Sequence, residues 1–400
     1  MNESNLKNRT ARNRHGKNTD APSLQRVLII LGGVLLLMLA AQPFFSFPIV
    51  GFWVLPLVGI YLFLLLVLPR LWLLVLPLAT VCLDVAPWTG RFVYNEFDLV
   101  FLVTLASGFI YNRYRYKVFA PSFAELALLL YLLIIVLGYS ASLLFITPPQ
   151  ASWGNPYYTS EYSYKVVKGL VWGIALVPMW GHLLARDKRR AVNALVLGLS
   201  LAAVCLALVV LWERGTLGRI FTGVSPDLGG NYRATALFSD MHTGGEVIDG
   251  VLLLLLPVTL YAATWGGTIF LRLLGVIGIL ALAYVALVGA SGPTCLAFLL
   301  GTTLYVLLTE QFRKSSDLPP RASFKWLLTV LLITTFVATV AYIFNGSAVK
   351  IHDGAGQASA ESHWTEVVDS YRPGFWRHLV GNGVGSFPVR FIAAHPDRVK

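Results

Sequence analysis

Charge is what this sequence has least of. Only 13% of its 400 residues are Asp, Glu, Lys or Arg, about half the share of roughly 25% usual in soluble domains. So few charges cannot clothe a water-facing surface of this size, which excludes the two or three soluble domains that length alone would allow. Cysteine is scarce as well. Cys82, Cys205 and Cys295 fall within or at the ends of apolar stretches and form no CxxC pair. That excludes a disulfide framework and leaves them as small packing residues. No Walker loop, HExxH or nucleophile elbow occurs. The run Gly381-Asn382-Gly383-Val384-Gly385 superficially suggests a nucleotide loop, but it follows no strand of a βαβ unit. No His, Asp or Glu cluster has metal-ligand spacing, so neither a metal nor another cofactor is expected. No repeat of fixed period is visible, direct or inverted.

What is abundant is apolar: 56% of the chain. It is gathered into eleven stretches, 24–43, 47–69, 71–87, 97–112, 121–146, 166–185, 191–212, 244–264, 268–290, 292–311 and 324–344. About 20 apolar residues carry a helix across the hydrocarbon core. Lipid admits only helices or a closed barrel, because every backbone polar group must be satisfied internally. Continuous runs such as Val251–Leu256 read as helix, since barrel strands would alternate. The expected fold class is therefore all-α, a polytopic transmembrane helix bundle of about eleven spans. The third and fourth are short enough to be tilted or re-entrant. Residues 1–23 read as a disordered cytoplasmic tail, 24–344 as the bundle and 345–400 as one segment outside the membrane. The long polar leader, followed by so many apolar stretches, does not read as a cleavable signal.

The excess of basic residues, 31 against 20 acidic, follows topology. The leader carries Lys7, Arg9, Arg12, Arg14 and Lys17. With the N-terminus in the cytoplasm, alternate hinges hold Arg70; Arg113, Arg115 and Lys117; Arg186, Lys188, Arg189 and Arg190; then Arg313, Lys314, Arg321 and Lys325. This is the positive-inside pattern. It explains the basic leader without nucleic acid, and an odd number of spans puts 345–400 outside.

Three outer regions are long enough to build something. Thr147–Lys165 is rich in Tyr and Trp, which reads either as an interfacial aromatic belt or as a surface for stacking sugars. Glu213–Gly245 carries Arg214, Arg219, Arg233, Asp240 and His242, and a turn at Gly229-Gly230 precedes Arg233. In 345–400, Trp364, Val367, Val368, Tyr371, Phe375 and Leu379 recur at roughly helical intervals, as in an amphipathic helix lying on a leaflet. Pro373 kinks it or starts a second helix.

The chemistry-bearing residues collect on that outer side. Arginine matches phosphate oxygens in a fork and keeps its charge, and Arg233 stands just before a span, at headgroup level. Histidine is the usual general base near neutral pH; His242, His352, His363, His378 and His395 are all expected outside. Glu246 and Asp249 open the eighth span, where they either line a cavity or cap a helix N-terminus. Arg272, at a cytoplasmic end, reads as a snorkelling side chain.

These residues resemble one family. The run Arg233-Ala234-Thr235-Ala236-Leu237-Phe238, followed by the apolar Val251–Leu260 with Pro257, is similar to a pattern of the O-antigen ligase and O-antigen polymerase superfamily. Gly289-Ala290-Ser291-Gly292-Pro293 stands where that family often has a Ser-Arg-Gly turn. Arg372 with Trp376, then Gly381 to Phe387 and Pro388, resembles the signature of its large periplasmic loop. The motifs cover about the last 170 residues; the remainder is similar in topology only. The resemblance implies a bacterial inner-membrane glycosyltransferase that moves or polymerises a glycan from an undecaprenyl-diphosphate carrier onto an acceptor hydroxyl in the periplasm. Membrane lipid and that lipid-linked glycan are the implied partners. Arg233 would bind the diphosphate with Arg214 and Arg219, Arg372 would be a secondary phosphate or glycan contact in the catalytic group, and Trp376 and His242 would touch glycan. Two departures stand out. The Ser-Arg-Gly arginine is replaced by Gly292 and Pro293. The family's loop runs on to a catalytic His and returning helices, whereas this sequence stops at Lys400, so either it is a truncated member or the base is one already present, with His395 nearest. The rival reading is a transporter or flippase for lipid-linked glycans, with Asp249 as its central residue.

Overall fold

The computed structural model describes residues 24–46, 48–83, 96–112, 123–145, 160–216, 234, 236–238, 246–289 and 292–315. Among them the only regular structure is helical. In chain order the helices are α1 (Leu24–Ser46), α2 (Pro48–Val67), α3 (Trp72–Cys82), α4 (Glu96–Asn112), α5 (Phe123–Phe145), α6 (Ser160–Thr216), α7 (Glu246–Trp265), α8 (Ile269–Gly289) and α9 (Gly292–Ser315). They occupy the first ten of the eleven expected apolar stretches. The eleventh, the leader 1–23 and the segment 345–400 lie outside the described residues.

Polarity is inverted relative to a soluble protein. Large apolar side chains face outward at intervals of three or four: Leu31, Leu35 and Met38 on α1; Leu130, Leu133 and Leu137 on α5; Leu273, Ile277 and Leu280 on α8; Leu300, Leu304 and Leu307 on α9. Asp98, Thr104, Ser107, Thr259, Thr302 and Arg214 are buried instead. An exposed apolar surface this continuous belongs against lipid. Three described stretches, Val167–Thr216, Val247–Trp265 and Ile269–Val288, are long and apolar enough to cross a membrane. The chain is a helical membrane protein.

Stretches 166–185 and 191–212 meet, as the sequence reading expects, at a polar hinge. They are arms of α6, which breaks at the single residue Asp187 (φ −161°, ψ 82°). The Asp187 carboxylate makes that break: Oδ1 accepts the Arg190 N–H at 3.2 Å, as an N-cap does, while Oδ2 pairs with Arg70 at 3.3 Å and Arg190 at 3.2 Å. The outer ends run further than apolar content indicates. The first arm starts at Ser160 and the second continues to Thr216, so Glu213 and Arg214 are helical rather than the beginning of a loop. Hydropathy marks where a helix leaves lipid, not where its hydrogen bonds end.

The two arms serve two cores. Met179 and Leu183 of the first arm join α1–α4 around Leu73, Leu76, Phe101 and Leu105. Ala203, Leu206 and Val210 of the second join α7, α8 and α9 around Leu252, Leu256, Leu282 and Phe298. α3 runs alongside the second arm, with Leu73 beside Gly198 and Cys82 within hydrogen-bond reach of Cys205. Both thiols are free. At 11 residues, α3 spans only about 16 Å at 1.5 Å per residue. α4 is short for another reason: residues 101–108 are buried without interruption, so it is the enclosed centre of its core and meets little lipid. Its hydroxyls are satisfied locally, Thr104 by the Val100 carbonyl and the Tyr61 hydroxyl, Ser107 by the Thr104 carbonyl.

The bundle thus has two ends. Arg70, Asp187 and Arg190 lie at one. The α7–α8 turn lies there too, with Gly267 beside Asn193 and the Arg272 Nε donating to the Gly266 carbonyl at 2.9 Å. Arg272 therefore caps the end of α7 in addition to standing exposed. The opposite end holds the start of α4, the start of the first arm, the finish of the second arm and the finish of α8.

Close helix approach depends on glycine. A Cβ at Gly275 would meet the Ala263 N and, at 2.8 Å, the Ala262 carbonyl carbon, where lipid-embedded helices associate through small residues. Gly173 faces open space. Gly275→Leu is expected to lower stability by about 1–3 kcal/mol through overpacking, seen as a reduced thermal midpoint in lipid, while Gly173→Leu leaves the midpoint unchanged.

Candidate functional site

Two groups of buried polar side chains occupy the end opposite Arg70 and Asp187. The first joins α4 to the first arm of α6. Asp98 is 1% exposed and Lys168 11%, and they pair at 2.6 Å. Trp172 Nε1 donates to the other Asp98 oxygen at 2.8 Å, and its indole stacks on Phe101 with centroids 4.8 Å apart. Both carboxylate oxygens are thereby used. A charge buried alone would be very costly, whereas a pair that also satisfies its hydrogen bonds persists. The spacing places Lys168 and Trp172 one turn apart on the same helix face.

The second group stands where α6 ends. Arg214 occupies its last turn and is 1% exposed, the largest side chain so fully buried among the described residues. A cation here is favoured by the helix dipole. Its neighbour Glu213 is also buried. Tyr284 of α8 lies within electrostatic range of both. Glu213 Oε2 accepts the backbone N–H of Ala236 at 2.8 Å. Ala236 has φ 51°, the left-handed region, which costs a residue with a Cβ about 1–2 kcal/mol. A hydrogen bond to a charged group is worth about 1.5–3 kcal/mol, enough to offset that strain. Ala234 is 1% exposed within the second core, and Ala236 and Phe238 pack against it. The short segment after Arg233 is therefore fastened to the protein at 234 and at 236–238.

Of the residues that sequence reasoning put forward, the structure describes Arg214, here buried beside Glu213 and Tyr284. Arg219, Arg233, His242, Arg372, Trp376 and His395 lie outside the described residues. Asp249 is half-buried in the first turn of α7, at the same end, and α8 finishes at Gly289 just before α9 begins at Gly292, so the expected outer hinge falls there too. Among the described residues, no three His, Cys, Asp or Glu side chains come together as a metal site. Glu213, Tyr284, Asp98, Lys168 and Trp172 were missed. Asp98 and Lys168 had a signal, being charges inside apolar stretches 97–112 and 166–185. Nothing local marks Glu213 as an acceptor for a residue 23 positions away. Compared with known proteins, the chain matches no family model, and no curated protein and no solved structure is significantly similar to it.

Removing one partner of the Asp98–Lys168 pair leaves a buried charge, at a cost of about 3–5 kcal/mol. Lys168→Met and Asp98→Asn are each expected to reduce the yield of folded protein in membranes. The double variant is expected to recover most of it, as read by monodisperse material after detergent extraction. Equal loss in the double variant would count against pairing as the cause.

Proposed function

We propose that the protein is a bacterial inner-membrane glycosyltransferase of the O-antigen ligase/polymerase type, acting on a glycan carried by undecaprenyl diphosphate. The observation that carries this reading is the bond from Glu213 to Ala236. It ties Ala236, three residues after Arg233 in the chain, to the helix end where Arg214 is buried, which supports a reading in which both arginines serve the diphosphate. The resemblance of Arg233–Phe238 and of the Arg372, Trp376 and Gly381–Phe387 motifs supports the same reading. With about eleven spans and the arginine-rich end at Asp187 in the cytoplasm, the opposite end, where Arg214 is buried, would face the periplasm, the side to which the odd span count assigns 345–400.

The chemistry follows from the leaving group. When the glycan departs from its carrier, negative charge grows on the lipid diphosphate. Fixed guanidinium donors at that place stabilise the transition state more than the ground state. Arg233 would supply the contacting guanidinium, Arg214, being 1% exposed, would add its charge from within the protein rather than by contact, and Arg219 and Arg372 would be further contacts. A general base, with His395 as candidate, takes the proton of the acceptor hydroxyl. Trp376 and His242 would face the sugars.

Arg233→Ala is expected to abolish glycan transfer in proteoliposomes supplied with a lipid-diphosphate glycan, while insertion into the membrane is unchanged. Normal product from that variant would remove Arg233 from the mechanism. Reporter fusions after 345–400 are expected to be active only on the periplasmic side; cytosolic reporters would overturn the topology on which the reading stands. The second reading, a transporter or flippase, is favoured by the buried Asp98–Lys168 pair, since ionisable groups within the membrane often mark pathways. The same proteoliposomes separate the two: new glycosidic bonds support the enzyme, and movement across the bilayer without bond formation supports the transporter.

A further inference from the structure

The turn at Ala236 is held in an unusual way. Left-handed backbone normally falls to glycine, and Gly229 and Gly230 are close by in the chain, yet the residue in that conformation is an alanine with φ 51°. What compensates is a side chain, the Glu213 carboxylate, reached across 23 residues at 2.8 Å. Glu213 itself is badly placed for helix stability, because a negative charge in the last turn opposes the dipole. It is also buried, where an acid needs partners. Arg214 next to it and Tyr284 across from it provide a polar setting. An acid kept in a position that costs its own helix is explained by what it holds.

We propose that Glu213 is a positioning residue: its carboxylate, by accepting the Ala236 N–H, fixes the turn 236–238 against the end of α6 and so sets the segment that bears Arg233. The proposal deepens the glycosyl-transfer reading and rests on it only for what the turn positions; the latch itself is a property of Glu213 and Ala236. Gln at 213 retains an acceptor oxygen at the same reach. Ala does not. A β-branched residue at 236 resists left-handed backbone more strongly than alanine and strains the same turn from the other side.

The test uses the full chain in lipid nanodiscs, where both faces are accessible, with Cys82, Cys205 and Cys295 changed to Ala and Leu237→Cys as reporter. The rate of reaction with a water-soluble maleimide reads the turn. Glu213→Ala is expected to speed labelling by at least about tenfold, the factor corresponding to loss of one charge-assisted hydrogen bond, and Glu213→Gln, which keeps a neutral hydrogen bond, to label several-fold more slowly than Glu213→Ala. Glu213→Ala labelling at the parent rate overturns the proposal, as does Glu213→Gln labelling as fast as Glu213→Ala. Should Glu213→Ala fail to assemble, Ala236→Val with Glu213 intact is expected to speed labelling, and an unchanged rate overturns the proposal equally. The activity arm uses the lipid-diphosphate glycan: Glu213→Gln keeps kcat and Glu213→Ala loses it with membrane insertion intact. Full transfer by Glu213→Ala overturns the positioning role. Labelling requires no substrate, so a parent protein that forms no glycosidic bond would remove the transfer reading and leave the latch standing, whereas an active Arg233→Ala would remove only Arg233 from the mechanism. Unchanged labelling would remove the latch and leave the transfer reading standing.

Discussion

The break at Asp187 is the constraint on which the rest of the architecture depends. One continuous helix from Ser160 to Thr216 would be about 85 Å long at 1.5 Å per residue, far more than the roughly 30 Å of a hydrocarbon core. Because the chain turns back at a single residue, the second arm passes from the first core at Ala191 into the second, and both outer ends return to the same end of the bundle. The Arg70–Asp187 pair adds little energy, since both groups are partly solvated. Its effect is geometric. It ties the start of α3 to the turning point of α6 and places Leu73 against Gly198. The register between the two cores follows from that.

From this arrangement comes the division of labour between the ends. The end at Asp187 is solvated and arginine-rich, with Arg70, Arg190 and Arg272 satisfied by a carboxylate or by helix carbonyls. At the opposite end charge is buried in protein. Asp98 paired with Lys168, and Glu213 beside Arg214, are enclosed. Low dielectric strengthens such interactions and makes their geometry unforgiving. A catalyst handling an anionic leaving group benefits from preorganised charge of this kind, which is why the proposed site falls at that end.

Much of the fold was legible because lipid imposes a coarse and strict requirement. Continuous apolar runs placed ten helices, counting the arms of α6 separately, and the glycine- and charge-marked hinges placed most of their junctions. Helix ends were harder. Ser160–Lys165 and Glu213–Thr216 are helical although polar, and no hydropathy pattern records that. Candidate-site residues divided along the same line. Arg214 could be named from its charge beside a span. Glu213 could not, because its role comes from a contact with Ala236 created by folding, and Tyr284 could not, because an interfacial tyrosine is commonplace. Asp98 and Lys168 were visible as charges in apolar runs, but their pairing is a fact of tertiary structure, separated by 70 residues of chain.

That separation has a consequence for biogenesis. Synthesis proceeds at about 5–20 residues per second, so Asp98 emerges roughly 4–14 s before Lys168. During this interval the Lys168 partner of the Asp98 carboxylate has not yet been made. The enclosed core around α4 is therefore completed only when the first arm of α6 arrives, well after α4 itself has been synthesised.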